Sequence, residues 1–320
     1  MAFRLKLVPD NTRIDFFRWQ FLTFGTSMAA MVASVVLIFT MGLNFGIDFK
    51  GGTTIRTESP TAFEVGDYRD ALNDLGFSDL AITEVFDPSF GADRHVAMIR
   101  IGTTDETGSV TPEQLNQVEA ALKTVDPEVR FAAVESVGPK VSGELVKTAF
   151  YAVGAACLGI MAYIWLRFEW QFAVGAVVTL ILDTTKAVGF LVVTQIEFNL
   201  TTVAAILTII GFGVNDKVVV YDRVRENLRK FKTTPLREVI DLSINQTLNR
   251  TVGTSVTLLL SALPLALFGG DTLSGFAWTV IFGIVVATSS SIFIAAPHRG
   301  THVATNRLAR WLARLIRLPL

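Results

Sequence analysis

The sequence predicts a polytopic α-helical membrane protein with one small α/β domain outside the membrane. Hydrophobic residues make up 51% of the 320-residue chain, and its mean hydropathy is +0.47. Six apolar runs are each long enough to cross about 30 Å of hydrocarbon as a helix. About one hundred residues of ordinary soluble sequence separate the first run from the second. We therefore expect six transmembrane helices, with a folded domain between helices 1 and 2.

The order of apolar runs and basic residues gives a topology. The predicted helices are 21–43, 148–166, 172–193, 200–221, 251–268 and 273–296, so helices 2–6 fall within 144–297. Lys and Arg concentrate in the N-terminal segment 1–20, the connection 222–250 and the tail 298–320. The loops 194–199 and 269–272 contain neither residue. Since basic residues mark the cytoplasmic side of a membrane protein, we expect both termini in the cytoplasm and the soluble domain outside.

The soluble segment 44–143 is acidic and has the element order of a ferredoxin-like fold. Residues 45–143 contain 17 acidic and 8 basic side chains, which does not oppose export because long loops cross membranes regardless of charge. Hydrophobic periodicity predicts strands at 53–58, 81–86, 94–101 and 128–137, and helices at 64–75 and 111–124. The order β-α-β-β-α-β is that of the split βαβ motif. Either a solvated surface or a binding partner explains the acidity.

Side chains that usually carry enzyme chemistry are sparse. The single cysteine, Cys157, permits no internal disulfide. His95, His298 and His302 lie too far apart in sequence to form a metal-ligand pattern. The sequence has no phosphate-binding fingerprint and no H-E-x-x-H motif. We therefore expect no enzyme activity, no cofactor, no metal site and no nucleic-acid partner.

A glycine-rich motif joins helix 1 to the soluble domain. Gly46, Gly51 and Gly52 permit positive φ angles and close backbone approach, and Asp48 lies at the interface depth where charge is tolerated. The glycine spacing fits neither a P-loop nor a dinucleotide-binding fingerprint. We predict a structural hinge at this position.

Two of the apolar runs contain ionisable residues. Helix 4 carries Asn215, Asp216 and Lys217 before it ends, and helix 3 carries Asp183 and Lys186. Charges at such depth cost a few kcal/mol each unless they have a partner, water or a function. We interpret Asp216 as a proton or ion carrier, with Asn215 and Asp183 in the same relay and the two lysines as modulating charges. The alternatives are helix–helix adhesion through Asp216 and mutual neutralisation of Asp183 and Lys186, which are one helical turn apart.

Four motifs, in order along the chain, resemble the SecD/SecF family of bacterial protein-export membrane proteins. They are FGIDFKGGT at 45–53, VGPKVSGEL at 137–145, NDKVVVYDRVREN at 215–227 and TLNRT at 247–251. In this family the matching Asp and Arg are tied to proton passage, so the resemblance implies a relay through Asp216 with Arg250 as its counter-charge. Two positions differ from the family pattern: Leu182-Asp183 replaces a His-Asp pair, and Lys217 replaces a small or uncharged residue.

The resemblance also implies a role and partners. It implies one half of a twelve-helix assembly of the resistance–nodulation–division (RND) type, in the bacterial inner membrane, that uses the proton-motive force to promote export of preproteins. The implied partners are SecD in a heterodimer, the SecYEG translocon, YajC, and a preprotein at the periplasmic domain. The coupling ion is H⁺ or Na⁺. A small-molecule transporter of the same superfamily and a non-catalytic scaffold are the alternative functions.

Two cytoplasmic segments are predicted to be amphipathic. The connection 222–250 has an apolar stripe with helical spacing, which we expect to lie on the inner membrane face. The tail 298–320 places four arginines on one helical face, which is typical of a helix on anionic lipids. Contact with the ribosome or the translocon is the alternative for the tail.

Overall fold

The computed structural model describes residues 8–9, 12–77, 80–85, 94–102, 110–168 and 170–292. The predicted basic tail, 298–320, lies outside the described residues. So do positions 293–296 of the sixth predicted helix and positions 1–7 of the N-terminal segment.

Six helices in the described ranges are long and apolar enough to cross a membrane. They are α1 (Gln20–Met41), α5 (Pro139–Arg167), α6 (Trp170–Thr194), α7 (Leu200–Lys230), α8 (Leu236–Phe268) and α9 (Gly270–Ser290). About half of the apolar window of α6 and of α7 is buried, against 6% for α1 and for α5. Because α7 also packs against α8 and α9, it lies at the centre of the bundle.

The connection between α7 and α8 differs from its prediction. The sequence predicts that helix 4 ends at 221 and that helix 5 begins at 251. Instead, α7 continues to Lys230 and α8 already begins at Leu236. Ile240 and Ile244 of α8 pack against Val224 of α7, and against a short 3₁₀ turn, Phe16–Trp19, that precedes α1. The prediction that this stripe lies on the membrane face is therefore wrong. The helical spacing is correct, but the apolar face is buried between two helices.

The soluble domain has the predicted β-α-β-β-α-β order. A one-turn helix, α2 (Ile47–Lys50), precedes the domain. The strands and helices of the domain are β1 (Gly52–Ser59), α3 (Val65–Asn73), β2 (Leu80–Val85), β3 (His95–Ile101), α4 (Pro112–Val125) and β4 (Arg130–Val137). The strands form an antiparallel sheet in the order β2-β3-β1-β4. Ile55 and Ile99 of the sheet are buried against Tyr68 of α3 and Leu122 of α4. The two helices therefore cover one face of the sheet.

Both ends of α4 are fixed by side-chain hydrogen bonds. At its start, Thr111 and Gln114 form a reciprocal capping box ahead of the first turn. At its end, buried Asp126 accepts hydrogen bonds from the hydroxyls of Thr61 and Tyr68, both at 3.1 Å. Burial raises the pKa of Asp126, but hydrogen bonds, the strongest from Ser59, outweigh it and hold the pKa below its ordinary value of 3.8. This carboxylate therefore ties α3 to α4.

The second face of the sheet looks towards the helix bundle. A cavity of about 120 Å³ separates this face from the α6–α7 loop and the start of α9. Its lining is mixed and includes the charged residues Arg56 of β1, Glu135 of β4 and Glu197 of the loop, together with apolar residues such as Met98 and Phe276. The soluble domain thus meets the bundle through charged as well as apolar groups.

Candidate functional site

Among the described residues, four Asp and Lys side chains lie inside the helix bundle. Asp183 and Lys186 belong to α6, and Asp216 and Lys217 belong to α7. Their exposed fractions are 1%, 8%, 2% and 0%, respectively. An unpaired charge buried to this extent costs several kcal/mol, so partners are required. We call these four residues the charge cluster; its two acids and two bases balance in formal charge.

Asp183 is the centre of the charge cluster. Its Oδ1 accepts a hydrogen bond from Lys186 Nζ at 3.0 Å, one turn along α6. Its Oδ2 accepts from Lys217 Nζ of α7 at 3.2 Å and from the Ser290 hydroxyl of α9 at 2.5 Å. Three donors from three helices therefore engage both oxygens of this carboxylate. The expected pairing of Asp183 with Lys186 is confirmed, and Lys217 joins the same acid.

The helices leave room for the two ammonium groups. Lys217 Nζ would lie 3.5 Å from a Cβ added to Gly213, one turn earlier on α7, where Leu180 of α6 is also within contact distance. Lys186 Nζ additionally donates to the hydroxyl of Ser27 on α1 at 3.0 Å. Lys186 is therefore held by Asp183 and Ser27, whereas Lys217 donates to Asp183 alone among the described residues.

Asp216 is the least satisfied member of the charge cluster. Its Oδ1 receives one long hydrogen bond, 3.5 Å, from the Thr254 hydroxyl of α8. Its Oδ2 is buried and has no hydrogen-bond partner in the part of the chain that the structure describes. A buried, half-satisfied carboxyl is unusual in a folded protein, and such groups often serve a function.

The structure brings together some of the predicted relay residues and separates others. Asp183, Lys186 and Lys217 are in contact, and Asp216 directly precedes Lys217 on α7, whereas Asn215 and Arg250 are exposed side chains on α7 and α8. Between the described side chains of Arg250 and Asp216 there is no ion pair within 4.0 Å. Whether Arg250 serves Asp216 as a counter-charge during transport stays a prediction.

Three hydroxyl groups at the charge cluster were not among the predicted relay residues: Ser27, Thr254 and Ser290. Hydroxyls are common in membrane helices, so composition alone does not distinguish these three. A partial signal exists for Ser290, which lies in a run of small polar residues suited to helix packing. The same run provides Thr288, which hydrogen-bonds Ser255 of α8 at 2.8 Å.

The glycine-rich motif forms a joint between the soluble domain and the bundle. The backbone N–H of Gly46 donates to the Phe198 carbonyl at 2.9 Å, and Asp48 Oδ2 accepts from the N–H of Leu200, the first residue of α7, at 2.9 Å. Gly51 and Gly52 have φ angles of 76° and 128°. These values favour glycine, and a Cβ on Gly52 would also lie 2.6 Å from a backbone oxygen of β3. This motif therefore connects α1, β1 and the start of α7.

An ion pair crosses the same joint. Arg100 of β3 contacts Glu197 of the α6–α7 loop at 2.8 Å between Nη2 and Oε2. Arg100 also donates to Asn44, whose amide donates to the Gln195 carbonyl at 2.9 Å. Burial raises the pKa of Glu197 above its ordinary value of 4.5, although Arg100 acts in the opposite direction. No simple motif marks these partners, which are distant in sequence.

Comparison with known families assigns most of the chain. The family described as "Protein export membrane protein SecD/SecF, C-terminal" matches residues 117–301. The "SecD/SecF GG Motif" family matches residues 36–59, which include the joint. The first match alone covers more than half of the chain.

Individual relatives with high sequence identity to this chain point to the same family. The chain is 58% identical to the protein translocase subunit SecF of Cereibacter sphaeroides, over 92% of this chain and 91% of that one. It is 56% identical to the SecF subunit of Rhodobacter capsulatus, over 92% and 90%.

Solved structures give the same assignment. SecDF from Thermus thermophilus, described as a translocon-associated membrane protein, matches with a TM-score of 0.82 and 30% identity. The match covers 94% of this chain and 40% of that one, so this chain spans about two fifths of SecDF. A super-membrane-facing form of SecDF matches with a TM-score of 0.67 and 32% identity, over 95% and 40%. The chain belongs to the SecD/SecF family and is a multi-pass membrane protein with a role in protein translocation.

Proposed function

We propose that this chain is the SecF-type subunit that works with SecD to couple the proton-motive force to preprotein export across the bacterial inner membrane. The observation that carries the proposal is Asp216. It is a buried carboxyl in a membrane-crossing helix, and one of its oxygens has no partner among the described residues. A buried charge is costly, so the gain or loss of a proton by Asp216 changes the free energy of the site by a large amount. A coupling site requires such a change.

The position of Asp216 on α7 suggests how protonation moves the soluble domain. α7 begins at Leu200, whose N–H is bound by Asp48 of the joint, and it packs against α8 next to the Asp216–Thr254 contact. Asp216 takes a proton from the outer side and releases it inward. The altered packing of α7 against α8 then changes the strain on the joint, and the domain alternates between two orientations that pull on an emerging chain.

SecD is the partner that fits the uncovered faces of the bundle. The SecDF chains are about 2.5 times as long as the matched region, which leaves room for a SecD part beside it. Asn215 and Arg250 are polar side chains exposed on α7 and α8, and exposed polar groups at membrane depth favour a protein partner over lipid.

The other partners and the orientation in the membrane are proposed from the relatives and from the distribution of Lys and Arg. The SecYEG translocon and YajC are proposed on family resemblance, and the "translocon-associated" description of SecDF supports a place beside the translocon. Both termini are placed in the cytoplasm because Lys and Arg concentrate in the terminal segments and in the α7–α8 connection. The basic tail is assigned to anionic lipids. The chain then acts as a transporter-like subunit rather than an enzyme.

Replacement of Asp216 tests the coupling directly. In inverted membrane vesicles that contain the full complex, we expect Asp216→Asn to leave the complex assembled and to abolish the stimulation of preprotein translocation by the proton gradient. Asp222→Asn is the matched control, since Asp222 lies on the same helix with 58% of its side chain exposed. Normal gradient-dependent stimulation in Asp216→Asn would refute the mechanism and favour a scaffold function.

A further inference from the structure

We propose that Lys217 and Lys186 determine which ion the charge cluster uses, because their ammonium groups occupy the positions beside Asp183 that a sodium ion would need. The inference rests on the proposed proton coupling and adds the residues that exclude sodium from the same site. It assigns a selectivity role to two lysines, one of which replaces the small or uncharged residue expected from the family pattern.

The coordination of Asp183 is the first argument. A sodium ion, like other hard cations, is held by oxygen atoms that act as electron-pair donors. Both oxygens of Asp183 are already engaged by Lys186, Lys217 and the Ser290 hydroxyl, at 3.0, 3.2 and 2.5 Å. Lysine ammonium groups have no lone pair to offer a metal ion. A sodium ion at this carboxylate would have to approach two positive charges that are already bound there.

Burial makes this exclusion strong. Lys217 is 0% exposed and Lys186 is 8% exposed, so water screens their charges poorly. The Lys217 side chain cannot reach solvent without displacing the helices packed around it. Lys186 is also hydrogen-bonded to Ser27 of α1. The two ammonium groups therefore act as fixed internal cations at Asp183.

Asp216 completes the argument. Lys217 follows Asp216 directly in the chain. The only hydrogen bond that Asp216 receives from a described side chain is the long one from Thr254. A sodium ion needs several oxygen ligands at once, whereas a proton needs only the one carboxylate oxygen that Asp216 leaves unpartnered. The geometry of the cluster therefore suits a proton and opposes sodium.

The test sets the two gradients independently. In proteoliposomes that contain the full complex, a proton gradient and a sodium gradient are imposed separately, and both preprotein translocation and uptake of radioactive sodium are measured. We expect the unmodified protein to respond to the proton gradient alone. We expect Lys217→Met to raise sodium-driven translocation and sodium uptake about tenfold, because a fixed positive charge is removed from beside two carboxyls.

Two further variants keep the result interpretable. Lys217→Arg preserves the charge and is expected to exclude sodium as the unmodified protein does. Lys147→Met removes an exposed lysine of α5 and is expected to change neither gradient response.

The outcomes separate this inference from the function on which it rests. Sodium-driven translocation by the unmodified protein would overturn the selectivity role while leaving ion coupling intact. An assembled Lys217→Met variant without sodium uptake would also overturn it. If Lys217→Met does not assemble, Lys186→Met takes its place with the same expectation. An unmodified protein that responds to neither gradient would overturn the proposed function itself.

Discussion

Replacing Glu197 with glutamine is expected to remove a pH dependence from the joint between the soluble domain and the bundle. Glu197 and Arg100 are paired at 2.8 Å, with 25% and 22% of their side chains exposed. Burial raises the pKa of Glu197 above 4.5; Arg100 lowers it, and the nearby carboxylates of Asp48 and Glu135 raise it again. Arg56 lines the same cavity. The net effect is that the closed joint favours protonated Glu197.

The sign of the pH effect follows from this raised pKa. The contribution of Glu197 to the closed joint is fully present below pH 4.5, the value for a solvated carboxyl, and is lost as the pH rises through the higher pKa of the closed state. Each unit by which the pKa of Glu197 is raised in the closed joint corresponds to about 1.4 kcal/mol, which is a tenfold change in the ratio of closed to open joints. Acidification on the side of the membrane that carries the soluble domain is therefore expected to close the joint.

Amide hydrogen exchange measures the closed fraction in the full chain. The N–H groups of Gly46 and Phe198 are bonded across the joint at 2.9 and 2.7 Å, so their protection factors report its opening. After correction for intrinsic exchange, we expect protection in the unmodified protein to fall as the pH rises above 4.5, and protection in Glu197→Gln to stay constant. Glu119→Gln, at an exposed site on α4, is the control. A glutamine variant that keeps the fall would refute the reasoning.

Two further substitutions test the same architecture. Gly46→Ala is expected to weaken the joint, because a Cβ there would overlap the Glu197 side chain, whereas Gly66→Ala on α3 meets open space and is expected to keep normal protection. Asp126→Asn is expected to destabilise the soluble domain by about 1–3 kcal/mol near neutral pH, since the amide cannot accept every hydrogen bond of the carboxylate. Because the pKa of Asp126 is lowered, that difference is present above pH 3.8 and shrinks as the pH falls through the lower folded value. Thermal unfolding of the full chain against pH measures it, and a pH-independent difference would contradict it.

Local patterns explain why most of the fold is predictable from the sequence. Apolar runs of membrane-spanning length define the six long helices, and a two-residue period defines the strands of the soluble domain. Thr111 and Pro112 mark the start of α4 because capping depends only on neighbouring residues. In each case the physical cause lies within a few positions along the chain.

The charge cluster is less predictable because its contacts depend on packing. Lys217 follows Asp216 in the sequence, yet successive side chains on a helix point about 100° apart, and Lys217 pairs with Asp183 on another helix instead. The predicted location of the apolar stripe of 222–250 is wrong for a related reason. Periodicity predicts a helix with one apolar face, but it does not say whether lipid or a second helix covers that face.

α7 unites the joint and the charge cluster in one rigid element. It is a single helix of 31 residues, about 46 Å long, that begins at the Asp48 contact and carries Asp216 and Lys217 in its buried middle. Its C-terminal part is packed against α8 through Val224. A packed helix does not bend easily. In the proposed mechanism, a change in charge at the middle of α7 therefore moves the whole helix, and the buried charges and the joint act on each other through it.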